Sequence, residues 1–221
     1  MNKTVVITGA NRGIGLAMTK LFKSAGHIVY GVCRNTSPEL EQLGIHVVTD
    51  VDVATPEGIN NMKSALNGVA IDVLVCNAGI LRDESLSDLN LDTIREQFEV
   101  NAIAPLNIVD TLQSNLTEGS KVAMITSRMG SITDNGSGGR YGYRMSKAAL
   151  NAAAMSLSKD LYAQNISVGI YHPGYVQTDM VNNNGDISAN EAASRIIGLI
   201  DSLSLKETGV FKHSNGETLP W

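Results

Sequence analysis

Cysteine is nearly absent from this chain. Two residues, Cys33 and Cys76, among 221 cannot build a disulfide framework or a cysteine-rich metal site. They read as small buried hydrophobes at strand ends. Four histidines, His27, His46, His172 and His213, show no ligand spacing, so no catalytic metal is expected. Charge is sparse as well: Asp, Glu, Lys and Arg make up 18% of the residues, against about 25% in an average soluble domain. That suits a sheet covered on both faces. The net charge is −5 with no Lys/Arg cluster, which argues against nucleic acid and anionic membrane as partners. No apolar run approaches the ~20 residues that a spanning helix needs. Met1-Asn2-Lys3 leads straight into the first strand pattern with nothing like a signal peptide, so the expected location is cytoplasmic.

What the chain does have is glycine, and its key stretch is Thr8-Gly9-Ala10-Asn11-Arg12-Gly13-Ile14-Gly15. It follows Val5-Val6-Ile7, a β-branched run too short for a helix and suited to a buried parallel strand. It precedes Leu16, Ala17, Leu21 and Phe22, whose spacing puts them on one helical face. The glycines therefore sit at a strand-to-helix turn, where free N–H groups and the helix dipole favour a phosphate. Gly9 can make the tight turn, Gly13 can let backbone approach a pyrophosphate, and Gly15 can bring the helix close to the sheet. The spacing is G-x3-G-x-G, not G-x-G-x-x-G.

Apolar runs alternate with helical patterns throughout. Strands are expected over Ile28 to Cys33, His46 to Val53, Ile71 to Cys76, Lys121 to Thr126 and Ile166 to Tyr171, with a short last one at Val210-Phe211. Helices are expected from Pro56 to about Asn67, in two stretches between Leu89 and Leu116 with Pro105 kinking the second, from Tyr143 to about Gln164, and from Asn190 to Leu203. This alternation predicts a single α/β domain over residues 1–221, a doubly wound, seven-stranded parallel sheet with helices on both faces. Ligands of such sheets bind beyond the carboxyl ends of the strands. There the sequence collects the glycine turn, Cys33-Arg34-Asn35, Asn77-Ala78-Gly79, Ser127-Arg128-Met129-Gly130 and Pro173-Gly174-Tyr175-Val176-Gln177-Thr178.

Tyr143 and Lys147 stand at i and i+4 of the long helix and share a face. A phenol titrates near pH ~10, and a nearby ammonium would lower that value and make it a usable proton-transfer group. Tyr141 has Met145 in that place.

Taken in order, Thr8-Gly9-x-x-x-Gly13-x-Gly15, Asn77-Ala78-Gly79, Asn101, Ser127, Tyr143-x-x-x-Lys147 and Pro173-Gly174 resemble the short-chain dehydrogenase/reductase family over essentially the whole chain. Cys33-Arg34-Asn35, Thr126 to Ser131 and the tail Leu219-Pro220-Trp221 look like its C-factor-like branch of small carbonyl reductases. The resemblance implies a Rossmann fold that binds a nicotinamide cofactor and reduces a ketone or aldehyde, or oxidises an alcohol. It makes Tyr143 the general acid and Lys147 the residue that holds the nicotinamide ribose and depresses the tyrosine pKa. It makes Ser127 the donor to the substrate oxygen and Asn101 a holder of a proton-relay water. Gly9, Asn11, Arg12, Gly13, Ile14 and Gly15 would cradle the phosphates. Asn77, Ala78 and Gly79 would line the adenosine ribose, while Pro173, Gly174, Val176 and Thr178 would seat the carboxamide. Asp52, followed by Val53, would contact adenine, with Asp50 as its rival. Cys76 departs from the family, which often has a second Asn there, and Ser127 lies 16 residues before Tyr143, slightly farther than in many members.

Cys33, neutral where an acidic residue commonly takes the ribose 2′-hydroxyl, together with Arg34, Asn35 and Arg12, favours NADP(H) over NAD(H). The alanines of the long helix (Ala148, Ala149, Ala152, Ala153 and Ala154) permit close helix approach, and the resemblance implies a homo-oligomer, a dimer or a tetramer. Residues 179–189 are short and polar, so an open substrate pocket is expected. A second reading is an NADP(H)-binding protein with little turnover, used in signalling or redox sensing. A third, a nucleotide-sugar epimerase of the extended branch, calls for a large C-terminal substrate domain for which the sequence holds no segment.

Overall fold

The computed structural model describes residues 2–221. Its strands are β1 (Thr4–Thr8), β2 (Ile28–Val32), β3 (His46–Val48), β4 (Ile71–Cys76), β5 (Leu116–Ile125), β6 (Ser167–His172), the two-residue pair β7 (Val176–Gln177) and β8 (Ile187–Ser188), and β9 (Phe211–His213). Seven of them form one sheet in the order β3-β2-β1-β4-β5-β6-β9, and every pairing in it is parallel. The helices are α1 (Gly13–Ser24), α2 (Pro38–Glu41), α3 (Pro56–Ala65), α4 (Leu91–Phe98), α5 (Ala104–Thr111), α6 (Tyr141–Asp160) and α7 (Ala189–Ser202).

Strand alternation splits the core in two. Val5, Ile7, Val73 and Val75 face Met18 and Phe22 of α1, Leu40 of α2, and Ile196 and Ile200 of α7. Val6, Leu74, Val122 and Val168 face Ile59 and Met62 of α3, Ile108 of α5, and Leu150 and Ala154 of α6. A sheet wrapped on both faces needs continuous apolar strands, and every residue of β6 is buried. This is the expected Rossmann-type sheet, with seven strands and helices on both sides. Cys33 and Cys76 are free and buried, one just after β2 and the other at the end of β4, strands that flank β1 on opposite sides, about two strand spacings or ~10 Å apart. Burial pushes the Cys76 thiol up to about 12.

Several boundaries differ from expectation, each for a local reason. β3 stops at Val48 because Asp50 takes a left-handed backbone, φ 57°, which breaks strand pairing. β5 starts at Leu116, but its register against β4 shifts between Ile71 and Val73, so the regular ladder begins at the expected Lys121. The stretch around Pro105 is one winding rod. Glu99–Ile103 form a π-helical turn between α4 and α5, and Ala104 donates its N–H to the Glu99 carbonyl five residues back. Pro105 has no N–H for the Asn101 carbonyl four residues back, so the α ladder cannot run through. α6 begins at Tyr141 rather than Tyr143 and ends at Asp160, followed by a 3-10 turn, Tyr162–Gln164. Residues 179–189 hold a 3-10 turn, Asp179–Val181, and fold back through the β7–β8 pair.

Candidate active site

β1 ends in Thr8, whose buried Oγ1 accepts from the N–H groups of Asn77 and Ala78, both at 3.1 Å. One hydroxyl thus fastens the loop after β4 to the glycine turn. Asn77 reinforces it, donating Nδ2 to the Thr8 carbonyl at 2.9 Å. Gly9 has φ 66° and sends its N–H to the Val32 carbonyl at 2.8 Å. The close approach at Gly15 is to the turns that follow β1 and β4 rather than to the strands themselves, because a Cβ there would overlap the Gly9 carbonyl oxygen and the Asn77 amide. α1 follows with Arg12 as N-cap, no side-chain cap bond and no acidic residue in its first turn. An α-helix leaves its first N–H groups without intrahelical partners, so the helix end beside Gly13 and Ile14 suits an anion. Asn11 closes the turn towards β2, donating to the Asn35 carbonyl at 2.9 Å.

The two arginines meant for a 2′-phosphate are both engaged. Arg12 lies 3.8 Å from Asp179 and Arg34 lies 3.8 Å from Asp52. Asp52 also accepts from the Ala54 N–H at 3.0 Å, while Val53 packs on the core. Asp50 bonds Thr49 and stands close enough to Cys33 to help burial raise that thiol's pKa. Gly13 faces Thr178, whose methyl a Cβ would meet at 3.4 Å, so the segment after β6 runs alongside the phosphate turn. Pro173 and Gly174 open that segment, with Gly174 at φ 100° beside His213, and Val176 is buried.

At the centre stand Ser127, Tyr143 and Lys147, all buried. Ser127 follows β5, and Tyr143 and Lys147 occupy the first two turns of α6. The Ser127 Oγ accepts the Met129 N–H at 3.1 Å and lies near enough to the Tyr143 phenol to oppose the rise of its pKa. Lys147 Nζ donates to the Ile125 carbonyl at 2.9 Å and lies 5.9 Å from the Tyr143 ring centroid. An ammonium has three donors, so two remain to be shared beyond that carbonyl. Burial pulls the Lys147 pKa down to about 8.

One expectation is corrected here. The Tyr143 pKa is raised, not depressed, because burial penalises the phenolate more than its neighbours help it. The groups that oppose the rise are Ser127 and Arg140 rather than Lys147.

Asn101 is fully buried in the π turn. Its Oδ1 accepts from the Ile80 N–H at 2.9 Å, and its Nδ2 donates to the Ile80 carbonyl at 2.8 Å and to Ser146 Oγ at 3.1 Å. The side chain is thereby committed to the loop after Gly79. A Cβ on Gly79 would come 3.2 Å from Asn101 Oδ1 and 3.6 Å from Lys147 Nζ, so small size there keeps the three groups together. Ser146, which sequence reasoning passed over, links Asn101 to the Tyr143 carbonyl. Glu84 and Arg140 were missed too, since both sit in stretches that look like solvated loop. His172, buried beside His213, is pushed down to about 3 and stays neutral.

Comparison with known proteins gives a consistent picture. A family model described as short chain dehydrogenase matches residues 3–188. A 1-hydroxy-2-glutathionyl-2-methyl-3-butene dehydrogenase of Rhodococcus sp. (strain AD45) is 35% identical over 224 aligned residues, 99% of each chain. The C-signal of Myxococcus xanthus is 38% identical over 154 residues, 68% of this chain and 93% of its own. Among solved structures, the NADPH-bound carbonyl reductase from chicken fatty liver superposes with a TM-score of 0.89 at 27% identity, over 100% of this chain and 99% of that one.

Proposed function

Since the chain belongs to the short chain dehydrogenase family, we propose that it is an NADP(H)-dependent oxidoreductase that reduces the carbonyl of a ketone or aldehyde. The observation that carries this reading is the buried Ser127–Tyr143–Lys147 group beside a glycine turn whose helix end has no cap of its own. A protein that only binds the cofactor has no need of a buried phenol beside a buried serine and a buried lysine, which weighs against the signalling or redox-sensing alternative.

The residues present fit the cofactor. The N-terminus of α1, with Gly9, Asn11, Gly13, Ile14 and Gly15, would hold the pyrophosphate, and Arg12, Arg34 and Asn35 would surround the 2′-phosphate. Asp52 and Val53 would meet adenine, and Asn77, Ala78 and Gly79 the adenosine ribose. Pro173, Gly174, Val176 and Thr178 would seat the carboxamide. Bound there, NADPH supplies the hydride. Tyr143 gives its phenolic proton to the carbonyl oxygen, and its raised pKa keeps that proton in place at neutral pH. The Ser127 hydroxyl donates to the same oxygen as negative charge develops on it. Lys147 offers its free donors to the nicotinamide ribose hydroxyls and favours return of a proton to Tyr143. Asn101 acts through backbone, because its side chain is already bonded: it fixes the π turn, whose carbonyl oxygen would hold a water on the path from Lys147 to solvent.

A panel of aldehydes, ketones, diketones and quinones with NADPH, followed at the nicotinamide absorbance, tests the reading. At least one class should be turned over, and none being turned over would favour the binding protein.

The same reading includes a homo-oligomer. Ala154 is core, but Ala152 is exposed, Ala148, Ala149 and Ala153 are half-buried, and Met145 of α6, Ile103 of the π turn and Leu106 of α5 are exposed. Light scattering at micromolar concentration should give two or four times the chain mass of 23.5 kDa. A particle of one chain mass would overturn this.

A further inference from the structure

The helix that carries Tyr143 starts without a cap from its own sequence. Its N-cap is Arg140, in a left-handed conformation with φ 51°, with no side-chain cap bond and no acidic residue in the first turn. Three other helices use local caps, Thr55 for α3, Asn90 for α4 and Ser188 for α7, whereas α1 at the glycine turn has none. The missing cap comes from the loop after β4. The Glu84 carboxylate, 4% exposed, accepts the Gly142 N–H at 3.2 Å on one oxygen. Its other oxygen accepts from Gln97 Nε2 at 2.6 Å and Thr93 Oγ1 at 2.8 Å. The Glu84 carbonyl takes the Arg140 N–H at 2.8 Å, and the neighbouring Asp83 takes Arg140 Nε at 2.6 Å.

Gln97 is fully buried and extends the clamp, accepting the Arg82 N–H at 2.9 Å. The fit is close enough that a Cβ on Gly142 would overlap Gln97 Nε2. Each partner of the carboxylate is a donor, so its two oxygens are satisfied and its charge faces the positive end of α6.

We propose that Glu84 is a positioning residue for the reduction: its carboxylate, held by Gln97 and Thr93, caps the first turn of α6 and fixes Tyr143 against Ser127. The inference rests on the proposed function, because it concerns how the general acid is held. Tyr143 follows the capped Gly142 directly, so a loosened first turn displaces the phenol. Misplacement by about 1 Å costs up to about 10²-fold in rate.

The test uses the full chain and four proteins: wild type, Glu84→Ala, Glu84→Gln, and Glu84→Gln combined with Gln97→Glu. In the single glutamine variant an amide nitrogen must face either the Gly142 N–H or the Gln97 amide, donor against donor. In the double variant, carboxylate and amide exchange places. The new amide oxygen takes Gly142, and the new carboxylate takes both the amide nitrogen and the Arg82 N–H, while the bond that Gln97 Nε2 gives the Thr93 carbonyl at 3.2 Å is lost. The single variants should lose about 10- to 100-fold in kcat with NADPH affinity within about twofold. The double variant should recover part of the loss, because the Gly142 and Arg82 bonds return and the bond to the Thr93 carbonyl does not. Amide exchange of residues 141–143 should quicken in the single variants and return towards wild type in the double.

A Glu84→Gln enzyme that keeps its kcat overturns the proposal. So does a variant that loses NADPH affinity in step with kcat, since that marks general damage rather than lost positioning. Failure of the wild type to reduce any carbonyl would sink the proposed function by itself. Amide exchange would still decide the cap, and unchanged protection in Glu84→Gln overturns it.

Discussion

Tyr143→Phe is expected to lower kcat for carbonyl reduction by about 10²–10⁴-fold, the usual contribution of a positioned general acid, while leaving NADPH affinity nearly intact. Only the hydroxyl gives the proton; the ring contributes to burial and survives the change. The Ser127 hydroxyl keeps the Met129 N–H at 3.1 Å, so the change leaves the local fold in place. Both quantities should be measured on one preparation, kcat with a good carbonyl and the dissociation constant from nicotinamide fluorescence. A variant that keeps more than about a tenth of the rate would remove Tyr143 from the mechanism.

The same site sets the direction of the pH dependence. kcat/KM reports the free enzyme, in which Lys147 titrates at about 8 and Tyr143 above its ordinary value. Lysine is charged below its pKa. Reduction should hold up to about pH 8 and fall above it, as Lys147 loses the proton that supports return of one to Tyr143. A Lys147→Met enzyme should lose that limb together with most of its rate. Since Tyr143 is not the group that titrates there, the limb should be absent rather than moved.

The sheet and the residues of its ligand edge were legible because their signals are local. Val5-Val6-Ile7 is a continuous apolar run, as a strand buried on both faces requires, and the turns after β1, β2, β4, β5 and β6 carry glycine or asparagine. Tyr143 and Lys147 could be paired from helical spacing alone. What escaped the sequence depends on groups far apart in it. Glu84 looks like one more charge in Arg82-Asp83-Glu84-Ser85, and only the fold brings it to Gly142, 58 residues on. The one local hint was negative: Gly138-Gly139-Arg140-Tyr141 holds no Ser, Thr, Asp or Asn to cap the helix it begins. The sign of the Tyr143 shift escaped for a similar reason. Spacing reveals the nearby ammonium but not the depth of burial, and burial is the larger effect. The π turn at Asn101 had a visible cause in Pro105, yet a proline in a helical pattern predicts a kink as readily as a register change.

The wild-type protein is expected to prefer NADPH over NADH by at least about tenfold in kcat/KM. A charge-assisted hydrogen bond contributes about 1.5–3 kcal/mol, but neither arginine starts free. Arg12 would have to leave Asp179, and Arg34 would have to leave Asp52, each at 3.8 Å. Exposed pairs of this kind are worth about 0–1 kcal/mol, less than a phosphate offers, so one arginine nets about 0.5–3 kcal/mol, or about 2- to 150-fold. The two share one phosphate and need not add, yet together they carry the preference past tenfold. Arg34→Ala should remove most of it. Cys33→Asp should narrow or invert the ratio, because it places a carboxylate at the end of β2, where it repels a 2′-phosphate and accepts from a 2′-hydroxyl. That new charge would join Asp50, already near enough to Cys33 to raise the thiol's pKa, so the variant should turn against NADPH more than it gains for NADH. The comparison needs one substrate and both cofactors across the three proteins. Equal use of NADPH and NADH by the wild type would show that neither arginine exchanges its carboxylate for the phosphate.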